Sequence, residues 1–152
     1  MKIKKLYEDI KQVIPKKYHY KIRICSSYPE MMKILVKKEK IRQDYKKVAK
    51  EFNKEIESDK KYNRECEVSQ ELARKYPRRK LKKYVRPILG FGGDPILLNG
   101  GVLRKESKYY VAAVILHEIG HNVGYKSEEG ADKFAAEWMG KIELFIKNKS
   151  YV

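Results

Sequence analysis

Apolar positions at the start of the chain fall at Ile3, Leu6, Ile10 and Val13/Ile14, with lysines between them. Steps of three and four gather one apolar face on a helix, and Pro15 stops it. The period then changes. In residues 18–25, YHYKIRIC, Tyr20, Ile22 and Ile24 alternate with polar residues, which predicts a strand with one covered face. Ser26-Ser27-Tyr28-Pro29 makes a turn, and Pro29 suits the first turn of a helix. Ile34, Ile41, Tyr45, Val48, Phe52 and Ile56 trace a single stripe. They predict a long amphipathic helix from about Glu30 to about Glu57 with its lysines outward.

Residues 58–86 are polar, with a short helix expected from Ser69 through Tyr76. The stretch KYPRRKLKKYVR sets Lys75, Arg78, Arg79, Lys80, Lys82, Lys83 and Arg86 around Pro77. Residues 87–103, PILGFGGDPILLNGGVL, turn apolar and glycine-rich. Ile96–Leu98 and Gly101–Leu103 flank Asn99-Gly100, which reads as a strand leaving through a turn or a small hairpin. GFGGDP lacks the Lys-Ser/Thr ending of a phosphate loop. Ser107 should cap a helix that begins KYYVAAVILHEIGH and stops at Gly124. Ser127 should cap a last helix, EEGADKFAAEWMGKIELFIK, which frays into a polar tail.

The length of 152 residues suits one domain, here a basic half (1–86) joined to a compact second half (87–152). The longest apolar run, Val111 to Leu116, falls far short of the roughly 20 residues a membrane helix needs. That argues against an integral membrane protein. Glu8 and Asp9 interrupt the N-terminus where a secretory signal would be apolar. Cys25 and Cys66 form no CxxC pair and no disulfide framework, so the expected setting is the cytoplasm, with association to a virion also open.

The formal net charge is +16, and residues 1–86 carry all of it, with 28 Lys/Arg against 12 Asp/Glu. A solvated lysine-rich surface explains this, and so does a face for a polyanion: nucleic acid, a virion component or an anionic membrane. Arg78, Arg79, Lys80, Lys82 and Lys83 are the candidate nucleic-acid contacts. No zinc finger, RNP-type strand or clear helix-turn-helix accompanies them. The interleaved tyrosines suit half-buried core edges better than base-stacking platforms.

His117-Glu118-Ile119-Gly120-His121 is an HExxH motif. Histidines four apart lie one turn apart on one helical face, so both imidazoles can reach one ion. Glu118 sits about 100° round the helix from His117. From there it can take a proton from a water whose pKa the ion lowers. The surrounding run from Val111 to Ile119 is apolar, so the helix should be buried, and buried histidines and glutamate need a reason. The competing reading is a pair of core histidines satisfied by hydrogen bonds.

Zinc needs a third protein ligand. Gly124 can end the helix and reverse the chain. Glu128 and Asp132 then share one face of the next helix, while Ala131 and Ala135 let the two helices approach. Glu128 is the expected third ligand, and Asp132 would hydrogen-bond a ligand imidazole. Glu129 and Asp132 are the alternatives for the ligand. Acidic residues in a first turn also simply favour the helix dipole.

HEIGH followed by EEGADKFAAEW resembles the gluzincin metallopeptidases, more narrowly the small HtpX-like and ImmA/IrrE-like zincins. Those pair HExxH with a helix reading ExxA[DN]xxAAE. Glu128, Ala131, Asp132, Ala135, Ala136 and Glu137 match that second element. The match covers about residues 95–140. It implies an α+β zincin-like fold, with a small twisted sheet packed on an active-site helix and a glutamate helix. In that fold an edge strand runs antiparallel to a bound peptide, and Ile96–Leu103 is placed to be that strand. Serine stands at 127 where a metzincin would have its third histidine, so that assignment is rejected. Tyr125, Tyr109, Tyr110 and Arg104 are the candidates for stabilising the oxyanion. The expected function is a Zn²⁺-dependent endopeptidase acting on peptide or protein, with ligands His117, His121 and Glu128 and Glu118 as general base. The alternative is a non-catalytic, zinc-stapled structural protein whose basic half binds nucleic acid or a virion component.

Overall fold

In the computed structural model the described residues are 1–27, 30, 31, 33, 34 and 89–152. They form an α+β arrangement of four helices and one three-stranded sheet: α1 (Ile3–Val13), β1 (Ile22–Cys25), β2 (Gly90–Phe91), β3 (Ile96–Asn99), α2 (Gly100–Leu103), α3 (Lys108–Val123) and α4 (Glu128–Ile146). Glu30, Met31, Lys33 and Ile34 are helical, at the expected start of the long helix. The rest of that helix, the Ser69–Tyr76 helix and the cluster Arg78, Arg79, Lys80, Lys82 and Lys83 lie outside the described residues.

The strand order is β1-β3-β2. β1 runs parallel to β3, with Ile22 opposite Ile96 and Cys25 opposite Asn99. β2 runs antiparallel, with Gly90 opposite Leu98 and Phe91 opposite Leu97. β3 is therefore the central strand, and all four of its residues are buried. Two expectations change. The segment 96–103 is expected as an edge strand, but among the described strands the outer positions belong to β1 and β2. The chain also turns helical after Asn99 instead of continuing as a strand or hairpin. At this point the backbone passes tightly against the end of β1. A Cβ on Gly100 would stand 2.5 Å from Ile24 Cγ2, and one on Gly101 would stand 2.5 Å from the Ser26 carbonyl. Only glycines let the backbone cross there.

β1 is shorter than the alternating pattern suggested. Lys16–Tyr18 form a 3₁₀ turn after Pro15, and Tyr20 precedes the strand, its carbonyl accepting a hydrogen bond from the Tyr7 hydroxyl.

One hydrophobic cluster joins these elements. Ile3, Leu6, Tyr7 and Ile10 from the first helix, with Ile14 just past its end, meet Ile96 and Leu98 from β3. Val111, Ile115, Leu116 and Ile119 from α3 join them, as do Phe134, Ala135, Met139, Ile142 and Ile146 from α4. Ser107 caps α3, its hydroxyl accepting from Tyr110 N–H, and Ser127 caps α4 by accepting from Gly130 N–H. Gly124, at φ 129°, ends α3, and four residues later α4 begins antiparallel to it. The two helices touch closely at Gly120, where a Cβ would lie 3.1 Å from Ala131 Cα and 3.2 Å from its carbonyl oxygen.

The polar tail does not simply fray. Tyr151 is buried and its hydroxyl donates to Asp9 Oδ2 at 2.6 Å. Lys108 Nζ donates to the carbonyls of Ile146, Lys147 and Lys149, which gives the C-terminal end of α4 the cationic partner it lacks in its own last turn. Among the described residues no helix is long and apolar enough to cross a membrane.

Candidate metal centre

The last two turns of α3 carry His117 and His121, and the first residue of α4 is Glu128. The tight turn at Gly124 brings them together. His117 Nε2 is 2.8 Å from one Glu128 carboxylate oxygen, and His121 Nε2 is 3.0 Å from the other. The two Nε2 atoms are 3.1 Å apart. Two nitrogens and a carboxylate thus surround one point.

The opposite side of each ring fixes its tautomer. His117 Nδ1 lies 2.6 Å from Asp132 Oδ1, and His121 Nδ1 lies 2.8 Å from the Tyr125 carbonyl oxygen. A carbonyl can only accept, and so can an ionised carboxylate, so both Nδ1 atoms carry the hydrogen. In the neutral rings both Nε2 lone pairs then face each other and an anion. Such a group could hold a cation at its centre.

Proton binding reflects the same arrangement. Burial of the His117 ring opposes charging, yet hydrogen bonds to Asp132 and Glu128 and the Glu118 charge together lift it well above the usual histidine range. His121 is raised chiefly by its hydrogen bond to Glu128, against burial and the repulsion of His117. For Glu128, burial pushes the pKa up, but hydrogen bonds from both histidines and their charges win and hold it at about 2.

The donor set suits a divalent ion. Zinc takes histidine nitrogens at about 2.0–2.1 Å, which spaces tetrahedral ligand atoms about 3.3 Å apart. The observed separations are slightly tighter. His117 and His121 keep 18% and 21% of their side-chain exposure and Glu128 keeps 34%, so the cluster is reachable from water.

Comparison with protein-family models, curated proteins and solved structures finds no match. The site's own geometry is what bears on function.

The structure separates the alternatives for the third donor. Glu129 is exposed and pairs with Lys133 at 3.2 Å, one turn along the outer face of α4. Asp132 is turned to the far nitrogen of His117. Glu118 is buried beside the two rings, and Gly90 of β2 lies over it, so that a Cβ on Gly90 would meet Glu118 Cγ at 3.1 Å. The oxyanion candidates scatter. Tyr109 and Tyr110 sit in the first turn of α3, about 10–12 Å along the axis before His117 by the helical rise. The Arg104 guanidinium packs near Gly100. The Tyr125 ring lies against Phe134, and its contribution to the cluster is its backbone carbonyl.

One contact has no counterpart in the sequence reading. The Asn122 carboxamide is bonded to Gly93 in the turn between β2 and β3. The available signal was the glycine run at 90, 92 and 93, which marks close passage of the backbone past a neighbour.

Proposed function

We propose that the protein is a zinc-dependent endopeptidase of gluzincin type, with a zincin-like arrangement of sheet, active-site helix and glutamate helix. The observation that carries this reading is the convergence of both Nε2 atoms and the Glu128 carboxylate while both Nδ1 hydrogens are already engaged. His117, His121 and Glu128 would hold the ion. Zinc bound there would supply Lewis-acid chemistry, acidifying water and polarising a scissile carbonyl. Asp132 and the Tyr125 carbonyl fix the ring orientations and tautomers. Glu118 takes the proton of the attacking water and returns it to the leaving amine. β2, an outer strand among the described ones and beside Glu118, is where an extended peptide substrate would lie.

The test is metal analysis together with peptide hydrolysis by wild type and Glu118→Gln. The expected result is about one zinc per chain in both proteins, with kcat about 10²–10⁴-fold lower in the variant. Wild-type protein that neither retains zinc nor is reconstituted by it would overturn the reading.

The charge distribution favours a second reading. The +16 excess of residues 1–86 suits a zinc-stapled binding protein that docks on nucleic acid or a virion component. Stoichiometric zinc without turnover of any peptide, with nucleic-acid affinity falling steeply as salt rises, would select it. In either reading the two cysteines and their spacing favour the cytoplasm.

A further inference from the structure

Asn122 follows the second histidine of the motif, and no step of the proposed chemistry uses it. Its carboxamide makes two bonds to one residue. Gly93 N–H donates to Asn122 Oδ1 at 2.6 Å, and Asn122 Nδ2 donates to the Gly93 carbonyl at 2.6 Å. A side chain that accepts from and donates to the same residue reproduces what one strand offers another.

The chain around Gly93 is shaped for this contact. Gly93 has φ 131°, a conformation that favours glycine. Gly92 passes so close to α3 that a Cβ would lie 3.1 Å from Asn122 Oδ1 and 3.3 Å from His121 Cβ. Gly90 lies over Glu118. β2 itself is only two residues long and pairs with β3 through those two, and so short a pairing holds weakly alone. Asn122 supplies a second, independent attachment to the helix that carries the histidines.

We infer that Asn122 is a positioning residue for the substrate peptide. It holds Gly90–Gly93 against α3, so that this segment keeps its place alongside Glu118, where it would line the path of the substrate peptide. The inference rests on the hydrolase reading above. His121 is oriented through Tyr125, so zinc binding is independent of Asn122. The specific demand is for a carboxamide: Asp at this position keeps the acceptor for Gly93 N–H but meets the Gly93 carbonyl with a charge instead of a donor.

The experiment compares zinc-loaded wild type, Asn122→Ala and Asn122→Asp. The probe is the decapeptide cut fastest by wild type from a synthetic mixture of randomised sequence. Zinc content should stay stoichiometric, and the Gly93 amide should exchange about tenfold faster in Asn122→Ala. KM should rise about tenfold, as expected for losing the paired bonds, with kcat within about threefold. The same peptide should bind Asn122→Ala/Glu118→Gln about tenfold more weakly than Glu118→Gln. Unchanged Gly93 exchange, unchanged KM, or a fall in kcat with KM constant each overturns the inference. Should Asn122→Ala not fold, Asn122→Asp, which retains one of the two bonds, carries the same readouts. Failure of the hydrolase reading would show elsewhere, as zinc-loaded wild type cutting no peptide faster than Glu118→Gln. Gly93 exchange, which needs no substrate, would then still decide for or against the clamp.

Discussion

The two histidines differ in what orients them, and that difference is testable. His117 leans on a carboxylate, Asp132, while His121 leans on the Tyr125 backbone carbonyl, which no substitution removes. Asp132→Ala should therefore weaken zinc binding about 10–100-fold through His117 alone. Glu129→Ala, which breaks only the surface pair with Lys133, should leave zinc affinity unchanged. Competition against a calibrated chelator measures both. The pKa shifts set a pH window for the metal-free fold. Both histidines are raised when folded, so their contribution is full below their unfolded value of about 6.5 and is lost as pH climbs through the raised values. Glu128 is lowered to about 2, so its contribution is present above its ordinary 4.5 and is lost as pH falls toward 2. The metal-free protein should gain most from this cluster between about pH 4.5 and 6.5. Thermal melts should show Tm dropping from pH 6 to pH 9 without metal. Saturating zinc, which replaces the protons as the central cation, should remove that drop.

The helix pair was the most legible part of the chain, and the reason is that its signals are local. Ser107, Gly124 and Ser127 mark their boundaries through bonds spanning only a few residues, and the histidine spacing follows from helical pitch. The sheet was less legible because its contacts are long-range. Nothing near Ile96–Asn99 shows that β1, some seventy residues earlier, will lie on one side and β2 on the other. The glycines at 100 and 101 look like a hairpin turn until Ile24 and Ser26 are placed against them. The same logic distinguishes two helical glycines that sequence alone treats alike. A side chain at Gly120 would run into the Ala131 backbone. Gly120→Val should cost about 1–3 kcal/mol and weaken zinc binding, because the α4 start that carries Glu128 is pushed away. Gly140 in the same pair has nothing within 4 Å of a Cβ. Gly140→Ala should stabilise by about 0.5–1 kcal/mol with zinc affinity unchanged. Urea melts and zinc titration on both variants check the contrast.

Across the whole molecule, residues near both chain ends are tied at the end of the helix pair remote from the candidate metal centre. Lys108 opens α3 and donates to three carbonyls at the close of α4. By helical rise, Lys108 is about 20 Å along the axis from His121. Near the close of α4, Tyr151 reaches Asp9, with Lys149 Nζ 3.6 Å from the other carboxylate oxygen. The sequence hid this contact, since 142 residues separate the partners and NKSYV carries no apolar period. Asp9 is buried, and an anion left there without the Tyr151 hydroxyl keeps its desolvation cost. Tyr151→Phe retains the ring and removes only the donor, so it should destabilise the fold by about 1–3 kcal/mol. Distance then separates folding from function. The lost bond lies far from the Nε2 atoms, and α3, with Val111, Ile115 and Ile119 buried along it, runs between the two places. Zinc affinity measured well below the unfolding transition should match wild type. A Tyr151→Phe protein that melts earlier and also binds zinc more weakly would mean that the two ends of the helix pair are energetically coupled, and that the proposed metal site is less self-contained than its three convergent donors imply.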